Sequence, residues 1–222
     1  MKSYYGLLIG ILILSLWSTH LFFWLNHTID WLSVWPYIAF LIQTHLYTGI
    51  FITAHDAMHG TVCKHRTLNT AMGTLCAALF ALNYYPTLNQ KHHLHHRFVG
   101  TEQDPDYHGG SFWLWYWSFA KQYITWWQIL LMALLFNALS LVFEQTNVAI
   151  FWALPSVLAT FQLFYFGTFI PHRHSPENKH KSVSMPRNHL LAFLSCYFFG
   201  YHYEHHDSPA TPWWKLYSLK KS

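Results

Sequence analysis

Apolar residues come in long unbroken runs along this chain, separated by short polar stretches, with little alternation within a run. Leu7 to Leu25 is interrupted only by Ser15, Ser18, Thr19 and His20, and Trp31 to Thr53 is a second run that stops just short of His55. Tyr123 to Phe143 and Val148 to Ile170 are two more, joined by the polar turn Glu144-Gln145-Thr146-Asn147. A bilayer core takes about 20 apolar residues of helix, so each run predicts a transmembrane span. Pro155 predicts a kink in the last span unless it falls in the first turn. Asn69 to Tyr85 is shorter and ends at Pro86, which predicts a re-entrant hairpin or a buried helix. Phe112 to Trp117 reads as an aromatic interfacial segment, a substrate-stacking wall being the alternative, and Leu190 to Gly200 is too short to cross. Thr87 to Tyr107 and His172 to Arg187 are polar, the latter broken by Pro171, Pro176 and Pro186. No internal repeat or low-complexity tract interrupts the pattern. The prediction is an all-α integral membrane protein, one domain over residues 1–222. It has four transmembrane helices, a re-entrant or short interfacial helices, and a polar cap.

Composition agrees with a bilayer. Hydrophobic residues are 53% and charged residues 10% of the chain, where a soluble domain carries roughly 25% charged. Twelve Trp, 14 Tyr and 18 Phe suit a membrane interface better than a small soluble core. The net charge of +4 does not gather into an arm or patch, which argues against a nucleic-acid partner. Three cysteines, Cys63, Cys76 and Cys196, make no disulfide framework. Lys2 before an apolar run resembles a signal peptide, but no small-residue cleavage site follows Trp17 or Phe22, so a retained span is expected.

The basic residues orient the spans. All 13 Lys and Arg, at positions 2, 64, 66, 91, 97, 121, 173, 179, 181, 187, 215, 220 and 221, fall on one side of a four-span topology. The opposite loops, 26–30 and 144–147, contain none. The positive-inside bias makes the basic side cytoplasmic, both termini included.

On that side lie three histidine clusters. His92-x-x-His95-His96 recurs as His202-x-x-His205-His206, and His55 and His59 stand four apart. On a helix, positions i, i+3 and i+4 share a face, so each cluster aims its imidazoles together. Isolated His20, His27, His45, His65, His93, His108 and His189 read as hydrogen-bonded or interfacial side chains; the repeated spacing sets the boxes apart. A structural zinc site takes four ligands, often with Cys, and eight imidazoles exceed it, which predicts two metal ions. Imidazole suits iron, copper, nickel and zinc alike. His55-Asp56-Ala57-Met58-His59 lacks the Glu of the zinc-protease motif. Two irons beside a bilayer would suit dioxygen-dependent attack on a lipid-soluble substrate. Asp56 and Glu204, each inside a box, are the candidate catalytic carboxylates. Asp104, Asp106 and Asp207 are further acids able to orient imidazoles, and for the first two a capping role has equal weight.

The three-box pattern resembles the membrane fatty-acid desaturase and hydroxylase superfamily. The words FITAHDAMHG, KHHLHH, GTEQDPDYHGG, QLFYFGTFIPHRH and FGYHYEHHDSPATPWWKL are similar to those of bacterial and cyanobacterial β-carotene ketolases, over about Leu46 to Leu216. The resemblance implies a di-iron oxygenase, with dioxygen as co-substrate, that turns the 4-methylene of a β-ionone ring into a ketone. Two hydroxylations and a dehydration would take β-carotene to echinenone and canthaxanthin. It implies ligands at His55, His59, His92, His95, His96, His202, His205 and His206. It also implies a further one after the last span, for which His172 is the choice and His180 the rival. A carotenoid, the bilayer and a soluble electron donor such as ferredoxin are the implied partners. The implied location is the inner or thylakoid membrane, with the site facing the cytoplasm. Phe198 stands where these ketolases usually carry a histidine, Tyr217 where they carry proline, and the long polar tail some have after PWW is lacking. Being four residues before His202, Phe198 is expected to face the pocket beside the oxidised ring.

Two other readings compete. A related carotenoid hydroxylase or fatty-acyl desaturase would share the boxes, but the words GTEQDPDYHGG and PWWKL favour the ketolases. A non-catalytic metal transporter should line its spans with ionisable residues, whereas only His20 and His45 lie within the apolar runs.

Overall fold

The computed structural model describes residues 4–174 and 176–220, so Lys2 and Lys221 of the charge argument lie outside the described residues. Within them the protein is helical, with no strand. In chain order, α1 is Tyr5–Leu25, α2 Trp35–Met58, α3 Arg66–Ala81, α4 Tyr85–Phe98, α5 Phe112–Tyr123 and α6 Trp126–Ser140. The long α7 covers Gln145–His172, followed by α8 His189–Cys196 and α9 His202–Asp207. A 3₁₀ turn over Trp213–Ser218 ends the described chain.

Three helices, α1, α2 and α7, are long and apolar enough to cross a membrane. The expected fourth span is different: α6 has only 15 residues, and α5 and α6 meet at 83° across Ile124 and Thr125. Thr125 stops the run by capping α6. Its hydroxyl accepts from the Gln128 amide while the Gln128 side chain accepts from the Thr125 amide, which makes the break a capping box rather than a weak point. α6 buries no residue against the protein, as suits a helix facing lipid. The 16 residues of α3 fall short of a crossing, in line with the shorter run from Asn69. Pro86 does not end that run but sits in the first turn of α4, where its missing N–H costs nothing.

α2 is the centre of the bundle and packs on α1, α3, α4 and α7. Its helix does not stop at Thr53 but continues to Met58, carrying His55 and Asp56 on a buried turn. Small residues permit these contacts: a Cβ at Gly73 would come within 2.5–2.7 Å of the Tyr85 ring and Ala57, so α3 and α4 close on α2 only because the side chain is absent.

α7 begins at Gln145, which puts Pro155 well inside it, yet the helix runs through. Each internal proline follows a widened, π-helical turn: Ala149–Ala153 before Pro155 and Tyr165–Phe169 before Pro171. Proline removes the bond to the carbonyl four residues back and its ring pushes on that carbonyl. Opening the turn by one residue absorbs both, and the Ser156 hydroxyl donates to the Ala153 carbonyl at 2.8 Å. At its other end, buried Asn147 donates to the carbonyls of Trp24 and His27 at 2.8 and 2.7 Å, tying the start of α7 to the end of α1. The two loops without basic residues are therefore at the same end of the bundle.

Candidate metal centre

The opposite end of the bundle gathers the histidines. α2 contributes His55 in its last turn and His59 just past it; the Asn69 amide holds that end by donating to the Ala57 carbonyl at 2.7 Å. α4, started by Pro86, puts His92, His95 and His96 on one face. α7 ends at His172, and α9 carries His202, His205 and His206. α9 reaches this place because Tyr197 and Phe198 are both left-handed, at φ 48° and 61°, and reverse the chain after α8. Bulky residues hold such angles at a cost of about 1–3 kcal/mol each, and only where the surroundings enforce them. Here Phe198 is held among Phe193, Tyr201, Trp213 and Tyr217.

The rings fall into two groups: His55, His59, His92, His96 and His205 in one, and His95, His172, His202 and His206 in the other. In each, one nitrogen per ring lies within 4.8 Å of all the rest. The closest pairs are Nε2 to Nε2: His59–His92 at 2.7 Å, His202–His206 at 2.9 Å, His172–His202 at 3.0 Å, and His95–His206 and His96–His205 at 3.1 Å. Two of these rings have their protons committed outward. His172 donates through Nδ1 to the Lys181 carbonyl at 2.8 Å, and His95 through Nδ1 to Asp104 at 2.9 Å, so in each ring, when neutral, Nε2 carries the lone pair. Buried His55 makes no hydrogen bond through either nitrogen, and neither does Nδ1 of His202. Clustered ring nitrogens, some of them buried without a hydrogen bond, are what a cation in each group would satisfy. Each donor set is purely nitrogen; all three cysteines are buried elsewhere.

Electrostatics favours neutral, lone-pair-bearing rings. Burial first, and then neighbouring imidazoles, hold His92, His202, His205 and His206 well below the usual histidine range. The same causes put His59 at about 4 and His96 at about 2. His95 alone among these boxes goes up: burial lowers it, but Asp106 and Asp104 outweigh the burial. Asp104 is itself buried and fixed, Oδ1 accepting from the Asp106 amide and Oδ2 from the Gly100 amide, both at 2.9 Å. Among the acids of the described residues this is the one hydrogen-bonded to a ring of either group, the arrangement that orients a metal ligand.

The other acids have different partners. Asp56 accepts from the Trp213 amide at 3.0 Å, pinning the C-terminal turn to α2, with its other oxygen 3.6 Å from His55 Nδ1. Glu204 accepts from the Ser184 hydroxyl and pairs with Lys220 at 3.2 Å. His180 pairs with Asp207 at 3.1 Å and stays outside both groups, while His172 is inside. Phe198 does not face the pocket as expected, because the left-handed reversal turns it into the aromatic cluster; Phe199 takes that place, 4.8 Å from the His55 ring and 5.4 Å from His202.

A cavity of about 390 Å³ opens directly onto both groups, its inner wall formed by His55, His92, His95 and His202. From there it runs between α6 and α7, lined by apolar side chains such as Phe51, Met132, Phe136 and Trp152.

Apolar helices long enough to span a membrane, closed at one end by nine converging imidazoles, define a membrane-protein architecture with two histidine groups that could each hold a metal ion. The sequence matches the fatty acid desaturase family over residues 29–125 and 111–221, and the chain belongs to that family. A β-carotene ketolase of Paracoccus sp. (strain PC1) is 41% identical across 81% of the chain and 76% of its own length. One from Haematococcus lacustris is 38% identical across 80% of the chain, and a zeaxanthin 4-ketolase of Chlamydomonas reinhardtii 36% across 95%. The chain spans 60% and 52% of the length of these two algal relatives. No solved structure matches it.

The four-ring group can be tested by its metal content. His172→Ala should remove the metal of the four-ring group from purified protein, measured as metal per chain, while His180→Ala leaves the content unchanged. Asp104→Asn should weaken binding there by about 10- to 100-fold, the usual cost of losing a ligand's outer partner.

Proposed function

We propose that the protein is a carotenoid 4-ketolase with one iron in each histidine group. The observation that carries this reading is the apolar cavity whose inner wall is drawn from both groups at once, in a chain whose relatives are β-carotene ketolases. The site residues are His55, His59, His92, His96 and His205 for one ion and His95, His172, His202 and His206 for the other. When bound, the two irons would supply reductive activation of dioxygen, with electrons from a soluble donor such as ferredoxin.

The residues of the chain do the rest. A β-ionone ring entering from the bilayer between α6 and α7 meets apolar and aromatic walls that displace water and exclude polar substrates. Phe199, packed on His55 and His202, forms the floor that limits how deep the ring goes. Asp104 keeps the His95 Nε2 lone pair aimed inward through each turnover. The 4-methylene is allylic, so its C–H bonds are the weak ones presented; two hydroxylations give a geminal diol that loses water to the ketone. Asp56 and Glu204, the carboxylates inside the boxes, act on this reading by fixing the ends of α2 and α9.

Expression in a β-carotene-producing host tests the reaction. Extracted pigment should contain the red-shifted mono- and diketone, and His95→Ala should abolish both while the protein still enters the membrane. Hydroxylated pigment without ketone would show a hydroxylase, and unchanged pigment would refute the reading.

On this reading the histidine end faces the cytoplasm; the absence of basic residues from the loops joined by Asn147 supports it. Topology reporters fused after Asp30 and after Arg97 should give opposite signals; the same signal from both would contradict this orientation.

A further inference from the structure

Hydroxyl groups inside apolar helices normally find a carbonyl of their own helix. Among the buried Ser and Thr of the spanning helices, Thr44, Thr48 and Thr53 donate to the carbonyl four residues back, at 2.9, 3.1 and 2.8 Å, and Ser156 to the one three back. Thr168, with 4% of its surface exposed, makes no such bond. The cause is the second widened turn of α7. Over Tyr165–Phe169 the backbone bonds reach five residues back, as from the Ile170 amide to the Tyr165 carbonyl. The carbonyl four back is then no longer beneath the side chain.

Thr168 lines the cavity, in the same wall as His95 and His202 and four residues before His172. Its neighbour Gly167 is covered by Phe199: a Cβ there would lie 2.3 Å from that ring, so this part of the wall is packed against the floor. Other polar side chains of the cavity outside the histidine groups are engaged. Tyr123 donates to Asp106, Gln128 donates to Asn83 and to the Ala81 carbonyl, and Thr160 donates to the Ser156 carbonyl at 2.9 Å. The Thr168 hydroxyl is thus an uncommitted donor and acceptor set into an apolar chamber beside the metal groups. The parent hydrocarbon ring has nothing for it to bond, but the ring after one oxidation does.

We propose that Thr168 holds the half-oxidised ring, hydrogen-bonding the new 4-hydroxyl so that the alcohol stays for its second oxidation instead of leaving as product. The proposal rests on the ketolase reading. It assigns Thr168 to product commitment, with no part in the first attack on the hydrocarbon ring.

The test compares wild type, Thr168→Val and Thr168→Ser in the metal-loaded protein, scoring 4-hydroxy against 4-keto product at low conversion. One neutral hydrogen bond is worth about a two- to tenfold shift in such a partition. Thr168→Val should raise the alcohol-to-ketone ratio by that factor and raise KM for added 4-hydroxy substrate but not for β-carotene. Thr168→Ser should restore both, with equal metal content in all three proteins. An unchanged ratio in Thr168→Val, or an equal loss on both substrates, would overturn the assignment of Thr168 while leaving the ketolase reading intact. A wild type that forms no ketone would overturn both.

Discussion

Nine imidazoles brought nitrogen to nitrogen are the constraint on which the rest of this structure turns. Nε2 pairs at 2.7–3.1 Å, with the Nδ1 atoms of His95 and His172 bonded outward, crowd ring nitrogens together at one end of the bundle. Without a cation, both nitrogens of His55 and Nδ1 of His202 make no hydrogen bond; a cation in each group would turn the clustered ring nitrogens into ligands. The bundle exists to hold that geometry. α2 and α7 run the depth of the molecule and end at the rings, while α4 and α9 lie across that end and bring two boxes to meet them.

The prolines of α7 show how local covalent chemistry becomes functional geometry. Pro155 and Pro171 each force a widened turn just upstream, and the widened turns let the helix remain continuous from Gln145 to His172. A helix broken at either proline would not carry His172 into the four-ring group. The same widening frees the Thr168 hydroxyl beside the cavity, so one backbone adjustment both completes a donor set and furnishes the chamber. Phe199 links the two, packed on Gly167 of α7 on one side and on His55 and His202 on the other.

Much of this was written in the spacing of residues. Runs of apolar residues mark α1, α2 and α7, and the i, i+3, i+4 histidines mark faces that do converge. The bend between α5 and α6 was also written, since Thr125-Trp126-Trp127-Gln128 is a capping-box pattern, but the apolar run masks it when hydropathy alone is followed. Other features leave no trace in periodicity. Phe198 is four residues from His202, which on a helix would put both on one face; two consecutive left-handed residues, an angle no composition predicts, turn it away. The grip of Asp104 on His95 depends on how the loop after α4 folds back, held by the Gly100 and Asp106 amides. Its only sequence signal is an acid in the short loop following a box.

The central claim is that the two groups hold a pair of irons ligated by nitrogen. X-ray absorption at the iron edge of the purified, iron-loaded protein addresses it directly. The account predicts two irons per chain, a first shell of imidazole nitrogen with no sulfur, and an iron–iron scattering path. One iron per chain at full loading, or a sulfur ligand, would contradict it.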